Sequence, residues 1–503
     1  MADNLLDKAS ILLTPTAYDN GSMLSIKPTN GDGDFTFSRN SAATRVNAQG
    51  LVENVQILSG DLVQNGSFSE IGAEEVTNGS FTNGSTDWTF VGGAELTEQG
   101  ARIYSSSGGQ SYINQDALTN TKSYKISYDI VDSTQGALKL INVNGVSDYP
   151  IPSTVGSHIV YFTANNNTLF IYRNSGATDV TITNISVKEV GQNWTFGDGF
   201  TPDQANSKAT CDGTQSAATN LTQTISTNIQ NKLVRVSFTL DYTAGVLLGS
   251  LSGTGAVDFN NITSSGTYTA EMTSNEVNPP LILQGDANFI GSITNIVLLE
   301  VTNDTNLPRI NYEGFSYDGS GNVVPDSGCG SWLLEDESTN LITQSELFSD
   351  ASWLRVGSIT TTDNYTTSPS GQNNATRLQW TNATNFIYQS LSHVGSDFTL
   401  SIYLKSNTNV SQNVRLFMDN GAQAQDVVVT TQWQRFEITN TTTPTQSNRN
   451  VGLIKSGSQV GDLDISIWGA QFEAQSYPTS YIPTQGASST RLQDLATDSG
   501  NAT

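Results

Sequence analysis

Apolar side chains recur at every second position along short stretches of the chain. Clusters of Gly, Asn, Ser, Thr and Asp separate the stretches about every ten residues. A period of two marks a strand that buries one face. It is strongest at 123–130 (SYKISYDI), 233–240 (LVRVSFTL) and 398–405 (FTLSIYLK). The apolar faces are Tyr124, Ile126, Tyr128 and Ile130, then Val234, Val236, Phe238 and Leu240, then Phe398, Leu400, Ile402 and Leu404. The alternate positions are expected to face water: Lys125, Ser127 and Asp129, then Arg235, Ser237 and Thr239, then Thr399, Ser401, Tyr403 and Lys405. A short helix is predicted near Asp3, followed by strands at 10–15 and 22–28. The chain carries neither a heptad repeat nor an apolar run long enough to span a bilayer.

The strands fall into three cassettes with one internal order, the signature of a repeated unit. Each opens on a turn-rich run ending in a tryptophan: Trp88, Trp194 and Trp353. A basic residue heads the next short strand (Arg102, Lys208, Arg377), and a glutamine-bearing strand follows (Gln115, Gln223, Gln389). Then comes the alternating strand, and each cassette closes alike: ITNISVKEV at 182–190, ITNIVLLEV at 293–301 and DISIWGAQFEA at 464–474. A repeat of about 110–140 residues with turns at this spacing fits an antiparallel β-sandwich that buries its own core. The expected fold is all-β, with tandem jelly-roll β-sandwich domains and a small N-terminal region.

Two runs outside the cassettes carry fixed patterns. The first, 35–55, contains Phe37, Arg39, Ser41, Ala43, Thr44, Arg45, Val46, Asn47, Gly50, Leu51, Val52 and Glu53. The second, 307–341, contains Pro308, Arg309, Ile310, Tyr312, Leu333, Leu334, Glu335, Thr339, Asn340 and Leu341. Together they resemble a family of bacteriophage virion proteins of the fibre, spike and head-decoration type. In that family the first run is followed almost directly by the second. Here about 250 residues separate them, which reads as an insertion. The run 467–484, with Trp468, Gly469, Gln471, Tyr477, Pro478, Tyr481 and Pro483, is similar to a phage-type signature as well. The third cassette, through Gln389 and 398–405, also resembles carbohydrate-binding modules of the jelly-roll type.

These resemblances imply a virion structural protein assembled in the host cytoplasm. Its N-terminal region would dock on other virion proteins of the capsid or tail, it would form a homotrimer, and its sandwiches would meet cell-surface glycans. The expected division is an attachment region at 1–58, jelly rolls at 59–190 and 191–303, a connecting segment at 304–341, a third jelly roll at 342–484 and a loosely held polar tail at 485–503.

Composition narrows the partners. Of 503 residues, 36% are hydrophobic and 14% charged, and the formal net charge is −25 with a pI of about 4.2. Such a surface repels phosphate backbones and anionic bilayers, so neither nucleic acid nor membrane insertion is expected; the main effect of the charge is solubility. The start of the chain lacks the basic segment and cleavage site of a signal peptide. Cys211 and Cys329 fit neither a disulfide framework nor a zinc spacing.

Candidate chemistry is sparse. His158 and His393 stand alone, and metalloprotease, phosphate-loop and nucleophile-elbow motifs are missing, so no enzymatic activity and no cofactor are expected. The loop 318–326 has Val323 and Cys329 where a calcium loop needs glycine and glutamate, and it reads as a turn, as do Asp32 and Asp34. A structural Ca²⁺ is compatible with jelly-roll modules, but the sequence places none. Trp88, Trp353, Trp433 and Trp468 read as core. The glycan-binding candidates are Tyr403 and Lys405, by their parity on the open face, and Tyr388, which is out of phase with Ile387 and Gln389. The expected function is a head fibre, decoration or spike exposing glycan-binding sandwiches. Alternatives are a tail-fibre receptor-binding protein, an architectural decoration, or a free glycan-binding or polysaccharide-degrading protein.

Overall fold

The computed structural model describes residues 11–498, apart from 20, 253–258, 313–314, 318–322, 326–329, 382–383, 393–396 and 441–447. The predicted helix near Asp3, His393, Cys329 and most of the 318–326 loop lie outside the described residues. The described chain is β-structure, with two short 3-10 turns at Gln204–Asn206 and Asp419–Gly421.

Three β-sandwiches form, each from two antiparallel sheets of five principal strands. The alternating strands run through the middle of one sheet in each: Ser123–Gln135, Leu233–Ala244 and Phe398–Ser406. All twelve residues of their apolar faces are buried, as the period of two requires. They pack on the facing sheet, so Ile126 and Val187 share a core with Ile113, Leu140 and Ile171 in the first sandwich. Full burial of each such side chain contributes about 1.5–3 kcal/mol.

The sandwiches are nested rather than strung in line. Residues 57–70 belong to the second sandwich, although the first lies between them and the rest of it. Leu58 pairs with Val301, Val63 and Phe68 sit in the second core, and the Phe68 ring lies 5.2 Å from Trp194. The first sandwich begins at Ile71, which pairs with Val190 at its other end. This corrects the expected start at 59: Phe68 needs the indole of Trp194, which only the second sandwich supplies. Adjacent ends are what let one domain sit inside another.

A shared lock explains the glutamine and tryptophan of each cassette. Gln115 accepts from Thr77 N at 2.8 Å, Gln223 from Gln64 N at 2.8 Å and Gln389 from Thr343 N at 3.0 Å. The indoles of Trp88, Trp194 and Trp353 donate to the same segments at Thr77 O (3.1 Å), Gln64 O (3.1 Å) and Gln344 O (2.8 Å). Gly66 and Gly79 must be glycine here, because a Cβ would stand 1.9 Å from Ile296 O and 1.8 Å from Ile185 O.

The two separated runs meet, and 35–55, 307–341 and the C-terminal segment 489–497 together form one connecting region. Val46 N donates to Asn311 Oδ1 at 2.8 Å, Tyr312 N to Val46 O at 2.9 Å, and Arg39 Nη1 to Leu307 O at 3.0 Å. The tail joins them, which corrects its expected looseness: Ser489–Arg491 pairs with Ser338–Asn340, and Leu495–Thr497 with Phe35–Ser38. Asp494, fully buried, holds Arg39 at 3.1 Å and also pairs with Arg309. Arg309 reaches Glu335 at 2.9 Å, and Arg491 reaches Glu335 at 3.4 Å. Burial alone would push the Glu335 carboxyl up, but Arg309, Arg491 and hydrogen bonds from Ser480 hold it below the usual range.

Joining Glu70 directly to Gly191 should leave the second sandwich folded, and 71–190 expressed alone should fold, each giving dispersed amide resonances. Asp494→Ala leaves two buried guanidinium groups short of a partner and should cost about 3–5 kcal/mol in denaturant unfolding of the connecting region. Because the folded-state value of Glu335 is lowered, its contribution is complete above about pH 4.5 and is lost as pH falls through the lowered value, which an acid titration of stability reads directly.

Candidate functional site

Each sandwich has one sheet whose outer face runs across five strands. In the first these are Thr89–Gly92, Ser111–Asp116, Thr168–Arg173, Leu138–Val143 and Val146–Ile151. Ile113 and Ile171 point into the core, so their neighbours point out. Val91, Tyr112, Tyr172 and Lys139 are successive cross-strand partners. The Tyr112 and Tyr172 rings stack at 4.8 Å and 15°, and Phe170 meets Tyr112 edge-on at 5.9 Å. The Lys139 ammonium lies 5.6 Å from the Tyr172 ring centre and 2.8 Å from Asp148 on the edge strand. The three rings are half-buried, forming an apolar platform with a polar end.

The third sandwich repeats this plan on Leu354–Val356, Phe386–Ser392, Asn448–Lys455, Gln412–Met418 and Gln423–Val429. Phe386 lies 5.4 Å from Tyr388 and 5.9 Å, edge-on, from Phe417. Leu354 and Val356 extend the patch, 43% and 41% exposed. Gly452 is the cross-strand partner of both Tyr388 and Phe417, and a Cβ there would stand 2.0 Å from Ile387 O, so the strands close tightly between the two rings. Arg415 occupies the place of Lys139, opposite Ile454 as Lys139 is opposite Tyr172, and pairs with Asp426 through two contacts of 2.8 Å. That pairing holds the Asp426 carboxyl below the usual range.

The second sandwich differs. The matching positions are Asn220, Gln284 and Leu248 in one row and Thr222, Ile282 and Ser250 in the next. Gln284 donates to Asn220 at 2.9 Å, and none of the six is aromatic.

Among the residues expected from sequence, Tyr388 lies on the third platform. Tyr403 and Lys405 lie on the opposite sheet and do not join it. Parity had placed both on an open face, and the structure corrects this, because that face packs against Trp468, Tyr481 and Trp433, joined by Val46 and Val52 of the first run. Thr399 and Ser401 are buried. Tyr403 is half-buried, 5.4 Å from Trp468 and 5.6 Å from the Arg435 guanidinium, and Trp468 in turn meets Tyr481 at 4.6 Å. Lys405 reaches over Trp433 at 5.9 Å. Trp88, Trp353 and Trp468 are buried, whereas Trp433 is half-buried and donates to Thr367 O at 2.9 Å. Beside this cluster Glu346 accepts from Tyr481 (2.9 Å) and Asn374 (2.7 Å), and burial pushes its carboxyl up.

Sequence reasoning missed Tyr112, Phe170, Tyr172 and Lys139. Their signal was present: in SYINQD and TLFIYR the aromatics flank an isoleucine and so fall on the polar phase. Asp32 accepts from Asn30 and Asp34 from Ser25, which is turn chemistry. Among the described residues, His, Cys, Asp and Glu do not gather in threes around a metal position, and no helix is long and apolar enough to cross a membrane.

No family model matches the chain, and no curated protein matches it. Several solved structures are similar in part. The CBM22-1–CBM22-2 tandem domain of Paenibacillus barcinonensis Xyn10C aligns at 11% identity over 57% of this chain and 94% of its own, with a TM-score of 0.23. The ANXUR2 extracellular domain of Arabidopsis thaliana aligns at 9% identity over 54% and 86%, with a TM-score of 0.20. A chain from the structure of Sulfolobus Turreted Icosahedral Virus aligns at 12% identity over 78% and 91%, with a TM-score of 0.16. At such low scores the sandwiches are assigned from their own sheets and cores.

Tyr403→Ala should act on stability, not on binding. Opening a void against Trp468 should cost about 2 kcal/mol or more in thermal or denaturant unfolding, with ligand affinity unchanged in the folded protein.

Proposed function

We propose that this chain is a glycan-binding β-sandwich protein of a bacteriophage virion, and that the outer faces of its first and third sandwiches are the binding surfaces. The observation that carries the binding reading is an aromatic platform on the same outer sheet of two sandwiches, Tyr112, Phe170 and Tyr172 in one and Phe386 and Tyr388, backed by the buried Phe417, in the other. An aromatic face covers the apolar C–H face of a sugar ring, and polar groups at its margin meet the hydroxyls. One shallow face of this kind binds weakly, with Kd of order 1 mM. Several copies on one particle multiply that by about 10² to 10⁴.

The virion placement is supported by the pattern of residues 35–55 and 307–341 and by their assembly into one connecting region. In this reading the protein is a head fibre or decoration, docked on other virion proteins through the N-terminal region as a homotrimer. It binds surface glycans and carries out no chemistry. The tail-fibre reading differs only in location.

Titration with oligosaccharides should show binding that Tyr112→Ala with Tyr172→Ala removes from the first sandwich and Phe386→Ala with Tyr388→Ala from the third. Each lost ring should weaken its site by about 3- to 10-fold without changing the melting profile of the other sandwiches. Immunogold microscopy of purified phage with antibody to the third sandwich should label the capsid. Label at the tail tip would make the protein a tail fibre, and unlabelled particles would sink the virion reading.

A further inference from the structure

The two aromatic faces share a second feature, an ion pair at the polar margin. Lys139 and Arg415 occupy equivalent positions, and each is neutralised by an acid on the adjoining edge strand, Asp148 at 2.8 Å and Asp426 at 2.8 Å. We infer that these faces select uncharged glycans, with Lys139–Asp148 and Arg415–Asp426 serving as donor–acceptor pairs for ring hydroxyls. The inference rests on reading the faces as glycan sites.

Three observations carry it. First, a cation free to capture a carboxylate or phosphate is what an anionic sugar requires, and on both faces the cation at the platform already holds a carboxylate. Arg173, at the end of the first platform's strand, is likewise occupied, by the carbonyls of Gly108 and Gly109. Second, pairing consumes charge without consuming all hydrogen-bonding capacity. Arg415 spends two of its five N–H donors on Asp426, and each carboxylate retains lone pairs, so donor and acceptor stand side by side as vicinal hydroxyls require. The third sandwich's margin is open to water, with the Arg415 and Asp426 side chains 47% and 44% exposed; in the first, Asp148 is 54% exposed and Lys139 12%, so there the acid is the more accessible member. Third, the net charge of −25 repels a polyanion before contact. The second sandwich has neither the rings nor the ion pair at the matching positions, so two sites per chain are expected.

The test is calorimetric titration of the full chain with neutral hexasaccharides of glucose, xylose, galactose and N-acetylglucosamine, set against hexagalacturonate. The expected result is that a neutral ligand binds at two sites per chain and hexagalacturonate does not. Asp148→Asn with Asp426→Asn, which keeps shape and frees both cations, should raise the affinity for hexagalacturonate by about fivefold or more. Wild-type protein that binds hexagalacturonate as tightly as the neutral ligands would overturn the selectivity while leaving glycan binding intact. Asparagine variants with unchanged affinity for both ligand classes would overturn the role of the pairs. Failure of every saccharide to bind would overturn the glycan reading itself, and with it this inference.

Discussion

Asp494 sits where three distant parts of the chain must meet, and its carboxylate is shared by Arg39 and Arg309 in a site closed to solvent. A guanidinium group buried alone is costly, so Asp494 of the C-terminal segment secures Arg39 and shares Arg309 with Glu335. Glu335 answers the remaining charge on Arg309 and Arg491. Three cations and two carboxylates thus come from 39, 309, 335, 491 and 494. The connecting region therefore depends on buried charge pairing between pieces that are distant in sequence. It also covers one face of the third sandwich, where Tyr403, Trp468 and Tyr481 pack together.

That arrangement explains how about 250 residues can separate two runs that touch. A long insertion costs little closure entropy when its ends already lie together, since the cost grows only with the logarithm of length. The second sandwich starts and ends on one pair of strands, Ile57–Leu58 beside Ile290–Asn303, and the first does the same within it, Ile71–Glu74 beside Thr178–Val190. Each sandwich then secures its own opening segment with a glutamine amide and an indole. The lock works across 159 residues between Gln64 and Gln223 as well as across 38 between Thr77 and Gln115.

One fold repeated three times carries different outer faces. The core positions answer to packing and alternate alike in all three, whereas the solvent-facing positions of the short-strand sheets are free to diverge, and function on such a scaffold lies in those positions. Two of the faces carry rings and an ion pair, and the middle one carries amides, hydroxyls and the aliphatic Leu248 and Ile282.

Local physics made much of this legible from sequence. The period of two in 123–130, 233–240 and 398–405 was enough to identify the strands, their buried faces and the sandwich class, because one-sided burial leaves no other pattern. The recurring glutamines and tryptophans marked the cassettes, and NGSF at both 65–68 and 78–81 held the trace of nesting. Periodicity, however, states which residues share a face and not what covers that face. Thr399, Ser401 and Tyr403 alternate like a solvent-facing set, yet the first two are buried and the third half-buried, with Gln475 O on Thr399, Arg435 on Ser401 and Trp468 on Tyr403. The tail is polar and reads as loose, yet Asp494 is buried because its partners lie 185 and 455 residues away. Tertiary structure alone decided these placements, since desolvation and charge pairing depend on neighbours that are distant in sequence and meet only in the fold.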